Sequence, residues 1–243
     1  MKAELAQQRS LLELAEVDAE LARLVHRGAH LAEQQTFDAA QAEHREAADR
    51  LAALAIAVED VEAQVARFES EIDGVRQRED RDRKLLDSGT VNPKQLEELQ
   101  HELETLERRQ ASLEDSLLEV MERLEQLTGD RSEQAMKVEA LQADLTTAGH
   151  NRDAALDEIE KLRAQRTAQR EGIIAGVEPA LAQLYERQRS STGVGAARLL
   201  GHRCGSCRIE LDRGELARIS ATPEDEVVRC PECQVILLRL GGA

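Results

Sequence analysis

All four cysteines of this chain fall in its last forty residues, as two pairs of identical spacing: Cys204-x2-Cys207 and Cys230-x2-Cys233, with 22 residues between the pairs. Two short loops that each present two thiolates are what a tetrahedral structural zinc requires. Disulfides or thioredoxin-like dithiols are the competing reading, but no βαβ pattern surrounds either pair. Four protein ligands close the coordination sphere and leave no position for water, so the expected Zn2+, one per chain, is structural rather than catalytic. His202, two residues before Cys204, reads as an exposed loop histidine. His26 and His30 share a helical face at i, i+4 and read as surface residues, since no acidic partner is specified to orient them.

Nothing else in the chain has the pattern of a reaction centre. No nucleophile stands with a positioned base, and there is no phosphate-binding loop or open metal site, so we expect neither an enzyme nor a small-molecule substrate. The side chains that can meet a partner beside the cysteine loops are Arg198, Arg203, Arg208 and Arg229. For nucleic acid the ribbon's arginines, these four especially, are the only candidates, and no aromatic residue follows Tyr185 to stack an unpaired base. Charge restricts the choice further. After Ser191, seven arginines face seven acids, so the whole net charge of -16 lies on the upstream part. That surface repels a phosphate backbone and leaves nucleic acid at most the region near the cysteines. A protein partner is the favoured expectation.

The elements that must hold this module are helical. With 2 Phe, 1 Tyr and no Trp, residues 1–188 are dominated by Ala, Glu, Leu, Arg and Gln, the bias of long helices with a narrow apolar seam. Leu14, Val17, Leu21 and Leu24 begin a heptad run that falters near Gly28, and Leu51, Leu54, Val58, Val61, Val65, Phe68, Ile72 and Val75 form a cleaner one. These belong to one helix or two collinear ones. In LLDSGTVNPKQLEEL, Gly89 suits a helix end, while Asn92, Pro93 and Gln95 suit the cap, first and third positions of the next helix. The seam then resumes at Leu96 and continues to Leu162. Two helices of about 80 residues, at about 1.5 Å per residue, would make an antiparallel hairpin about 120 Å long whose chain ends meet far from the turn. Pairing about residue 91 sets Val75 near Leu106 and Leu24 near Ile159.

Gly172, Gly176 and Pro179 are expected to break the second helix, PALAQLYERQR to form a short further one, and the Ser/Thr/Gly segment after it to be a linker. Beyond Leu199, VVRC and VILLRL read as short strands and ELARI as one helical turn. The expected fold class is mainly α: a long antiparallel coiled-coil helical hairpin over 1–190, with its turn near 88–93 and a short terminal helix, then a linker and small β-rich four-cysteine zinc ribbon over 191–243. A ribbon with so few other core residues should fold on its metal, so a chelator is expected to unfold 199–240 and leave the helical signal nearly intact. No apolar run approaches a membrane span and MKAELAQQRSLLEL carries charge too early for a secretory signal, so a cytoplasmic protein with no membrane association is expected. Reduced thiols there favour metal over disulfide.

The hairpin reversed at TVNPKQLEELQHEL, followed by CGSCRIELDRGELARI and DEVVRCPECQVILLRL, resembles the bacterial C4-type zinc-ribbon proteins with an N-terminal coiled-coil hairpin. The resemblance covers nearly the whole chain, and its most specific part is the spacing of the cysteine pairs. It implies an elongated hairpin carrying a zinc ribbon. Some relatives are regulators that bind an alternative sigma factor, flagellar or secretion components, or messenger RNA. Only Cys204, Cys207, Cys230 and Cys233 carry over residue by residue. The chain departs where many relatives have glycine after the last cysteine and an aromatic soon after, for Gln234 and Leu238 stand there.

Overall fold

The computed structural model describes residues 1–239, in which the order of elements is α1 (Leu5–Ala29), α2 (Ala32–Asp87), α3 (Pro93–Ala175), α4 (Pro179–Thr192), β1 (Ala196–Leu200), β2 (Arg203–Cys204), α5 (Arg213–Ala221), β3 (Val228–Arg229) and β4 (Ile236–Leu238). The end of VILLRL at Leu240 lies outside the described residues. The chain is a long helical hairpin followed by a small strand-containing region, and it divides into two compact units, Gln35–Gly149 and Met1–Gln34 with His150–Ala243.

Within Gln35–Gly149 the two helices reverse at the expected place by the expected means. Gly89 takes φ 65, the left-handed conformation that glycine adopts without penalty. The Asn92 Oδ1 accepts from the Gln95 backbone N–H at 2.9 Å and the Gln95 Oε1 accepts from the Asn92 N–H at 3.1 Å, a reciprocal capping box with Pro93 just inside it. Arg76 pairs with Glu114 and Arg83 with Glu107, so numbers rise on one helix as they fall on the other and the pairing is antiparallel. Such exposed pairs contribute little energy; the seam of Val58, Val61, Ile72, Leu106 and Leu113 does the holding. At a polar seam position, Gln134 donates from Nε2 to the Ala47 carbonyl at 2.9 Å, fixing register from within. Farther on, the α2 seam steps of three and four lead from Ile72 and Val75 to Glu79 and Asp82. Glu79 is buried, and neither its Oε1 nor the Asp82 Oδ2 has a hydrogen-bond partner among the described residues.

In the second unit the helix break falls at His30 and Leu31, which leaves the first heptad run in α1 and the second in α2. Gly172 does not break α3, which runs on to Ala175 before Gly176 and Val177 turn the chain into α4. The expected linker is instead occupied by structure. Ser190 to Thr192 complete α4, Gly193 caps it at φ 80, and β1 begins at Ala196. Gly195 lies so close under the Tyr185 ring that a Cβ would sit 2.4 Å from it, so only glycine fits.

The sheet order is β2-β1-β4-β3, with β1 and β4 parallel and the other pairs antiparallel. Neither β1 nor β2 is visible in the sequence pattern, and α5 is longer than the single turn expected. Alternation along the central strands gives the sheet two apolar faces. Ala196, Ile236 and Leu238 join Leu11, Leu14, Leu181 and Tyr185 in one cluster, while Ala197, Val235 and Leu237 join Cys204, Cys230, Leu211 and Ile219 in the other. The chain's beginning is built in as well. Met1 accepts from the Val227 N–H, Ala3 donates to the Asp225 carbonyl, and the buried Gln8 amide donates to the Ala3 and Glu224 carbonyls at 2.9 Å each.

Candidate metal centre

Each cysteine pair sits in a tight knuckle whose backbone is the same in both copies. In the first, Arg208 N–H donates to the Cys204 carbonyl and Cys204 N–H to the Ile209 carbonyl; in the second, Gln234 N–H donates to the Cys230 carbonyl and Cys230 N–H to the Val235 carbonyl. Both turns require a left-handed residue just after the second cysteine, and Arg208 and Gln234 each have φ 62. This explains why glycine suits the position after the last cysteine, and shows that Gln234 occupies it without changing the turn. Gly205 lets the first knuckle lie against β1, donating to the Arg198 carbonyl at 2.9 Å where a Cβ would meet that oxygen at 2.7 Å.

The knuckles bring all four sulfurs within 4.8 Å of one another, with Cys204 to Cys233 and Cys207 to Cys230 each 3.9 Å apart. Zinc–sulfur bonds of about 2.3 Å place tetrahedral ligands about 3.8 Å apart, so the four thiols fit one structural zinc. Cys204 and Cys230 are buried, and Cys207 and Cys233 partly so. Burial pushes the Cys204 thiol up to about 12, against the pull of backbone N–H groups of Cys207 and Ser206, and raises that of Cys230 too. The N–H of Ile209 draws Cys207 the other way. Two buried thiols that resist ionisation need a cation to become thiolates, and zinc supplies one.

These positions lie within a recognisable architecture. A CT398-like coiled coil hairpin domain profile matches residues 14–193, and a C4-type zinc ribbon domain profile matches residues 203–237. The chain belongs to the CT398-like hairpin family. It is 60% identical over 242 residues to an uncharacterised protein of Mycobacterium tuberculosis, covering 100% of this chain and 99% of that one. A solved structure from Mycobacterium smegmatis is 58% identical, with a TM-score of 0.90 over 99% of this chain and 100% of that one. The structure of CT398 from Chlamydia trachomatis shares the fold, with a TM-score of 0.69 at 18% identity over 96% of this chain and 98% of that one.

The other residues singled out in the sequence are distributed around the family's ribbon. His202 is exposed, and its carbonyl, not its ring, is used, accepting from the Leu211 N–H. The His26 and His30 rings lie 4.4 Å apart, and among the described residues the only group of three or more metal-binding side chains is that of the cysteines. Arg198 pairs with Glu16 at 3.6 Å and Arg203 with Glu210 at 3.5 Å. Arg208 and Arg229 are exposed and have no ion pair among the described residues. Arg239 serves the fold: its guanidinium donates to the carbonyls of Ile219, Thr222, Pro223 and Glu226, at the end of α5 and in the loop after it. No described helix is long and apolar enough to cross a membrane.

A polar centre beneath the sheet escapes sequence reading altogether. Asp18, 6% exposed, accepts from Arg170 at 2.7 Å, from the Tyr185 hydroxyl at 2.7 Å and from Arg189 at 3.0 Å, while Arg170 also bonds Glu186. This ties α1, α3 and α4 together. Burial, helped by the bond to Asp18, holds the Tyr185 hydroxyl well above its ordinary value. The available signals are small: the chain's only tyrosine, and an acid one step outside the seam of Leu14 and Val17.

Proposed function

We propose that the protein is a non-catalytic cytoplasmic adaptor whose zinc ribbon presents a docking surface for a protein partner. The observation that carries this reading is the surface on and beside the first knuckle. Leu200 and Ile209 stand 61% and 46% exposed next to Arg203 and Arg208, on backbone held by the four-cysteine site. Large exposed apolar side chains bordered by arginine are the composition of a protein-docking patch. A closed four-thiolate zinc supports a scaffold rather than catalysis. The prevalence of acid in the helical part disfavours phosphate contacts along it.

A second reading, in which the ribbon binds RNA or DNA, draws support from Arg208 and Arg229, exposed cations with no acidic partner among the described residues. One experiment separates the two. A photo-crosslinking residue is placed at Ile209 or at Leu200, with Glu125 on α3 as control, and adducts formed in cells are analysed with and without nuclease. Nuclease-resistant protein adducts specific to the ribbon positions support the adaptor. Adducts that nuclease removes, weakened by salt, support the second reading. Adducts no more frequent than at Glu125 overturn both.

A further inference from the structure

We propose that zinc binding by the four cysteines and closure of the core formed by α1, α4 and β4 are one cooperative step, so that the helices report whether the ribbon carries its metal. The ribbon is expected from its sequence to be a self-contained module, yet its central strands are shared property. On one side, Val235 and Leu237 pack with Cys204 and Cys230; on the other, Ile236 and Leu238 pack with Leu11, Leu14, Leu181 and Tyr185. Side chains on a strand alternate between faces, so β4 cannot lose its place on the metal side and keep it on the helix side. The register of β1 on β4 makes the same link twice. Ala196 opposes Ile236 on the helix side, and Ala197 opposes Leu237 on the metal side.

Three further ties run from the ribbon to α1 and the residues just before it. The Met1–Ala3 backbone is bonded to Asp225 and Val227, the Gln8 side chain to the Glu224 carbonyl, and Arg198 to Glu16. What the ribbon covers is therefore the apolar side of α1 and α4. Leu11, Leu14, Leu181 and Tyr185 are each 0% exposed, and the strand residues Ala196, Ile236 and Leu238 pack in the same cluster with them, beside Val177. A site whose metal supplies much of the ribbon's folding energy also holds that cover in place. Zinc loss would uncover an apolar strip on the helices, a change a partner can read.

Coupling between two sites is reciprocal, and that permits a test away from the cysteines. In the full-length protein under reducing conditions, hydrogen exchange is compared with zinc bound and after removal by a chelator. Exchange should rise at least about tenfold not only in 196–239 but also in 5–17 of α1 and 179–192 of α4, with 51–145 unchanged. Conversely, Leu14→Ala, distant in sequence from every ligand, should weaken Co2+ binding by about five- to tenfold while leaving the cobalt–thiolate absorption spectrum, which reports the four ligands, unaltered. Unchanged exchange in α1 and α4 on metal removal, or unchanged cobalt affinity in a Leu14→Ala protein of normal helical content, would overturn the proposal.

Discussion

The interior of Gln35–Gly149 and that of the unit holding the ribbon are stabilised in opposite ways. Of the eleven largest side chains with less than 2% exposure, Val58 alone belongs to Gln35–Gly149; the other ten, from Leu11 and Leu14 to Cys204, Cys230 and the β4 residues, belong to the ribbon's unit. Two helices in contact bury one stripe each, and most seam residues keep an edge toward water. Where a sheet packs against helices on one face and a metal core on the other, side chains are enclosed on all sides. The lesson is that the long regular region tolerates buried acid oxygens without partners, at Glu79 and Asp82, while the buried acid of the ribbon's unit, Asp18, is fully paired.

This comparison predicts where substitutions hurt. The largest effect belongs to the metal ligands. Cys230→Ser should remove bound zinc, and with it most of the roughly 10–16 kcal/mol that such sites contribute to a small module. Metal analysis should fall to near zero, while circular dichroism should retain the signal of α2 and α3.

Next comes the buried polar centre. Asp18→Ala leaves Arg170 with Glu186 alone and takes the acceptor from the buried Tyr185 hydroxyl, and should cost about 3 kcal/mol in denaturant unfolding. Tyr185 also gives a pH signature. Its hydroxyl is held above its ordinary value, so the folded protein keeps a proton that the unfolded chain releases above about pH 10. The Tyr185 contribution is fully present below that pH and lost as pH rises beyond it. The stability gap between the native protein and Tyr185→Phe should narrow at alkaline pH; a gap that stays constant to pH 11 would contradict the burial of the hydroxyl.

In the seam of Gln35–Gly149 the direction reverses. Glu79 is 4% exposed with an unpartnered oxygen, and Glu79→Leu restores an apolar step to the heptad. Stability should rise by about 1–2 kcal/mol, read as a higher midpoint of the helical transition. The smallest effect is expected at the second knuckle. Gln234→Gly relieves a left-handed residue but frees the unfolded chain, so the gain should not exceed about 1 kcal/mol, with cobalt spectra unchanged.

Much of the fold and of the metal centre was legible from local rules. The reversal at Gly89 and Asn92 depends only on residues within one turn, and the heptads only on spacing along one helix. The cysteine pairs announced their ligand set because each knuckle is closed by bonds five residues apart or fewer. What was not legible depended on partners far off in the chain. Gly195 looks like part of a flexible linker until the Tyr185 ring and Ile236 of β4, whose N–H donates to its carbonyl, are seen to close on it. The stretch AARLL does not announce a strand, because its pairing partner lies some forty residues on. Asp18 passes as a flanking heptad acid until Arg170, Tyr185 and Arg189 close around it.

By itself, the sequence determined that this chain forms a capped helical hairpin and a four-cysteine zinc ribbon, since helical periodicity, capping and knuckle spacing are all properties of neighbouring residues. Tertiary structure alone decided that the ribbon is not an appendage. Its central strand has two apolar faces, and burying both required one core around the metal and another on α1 and α4.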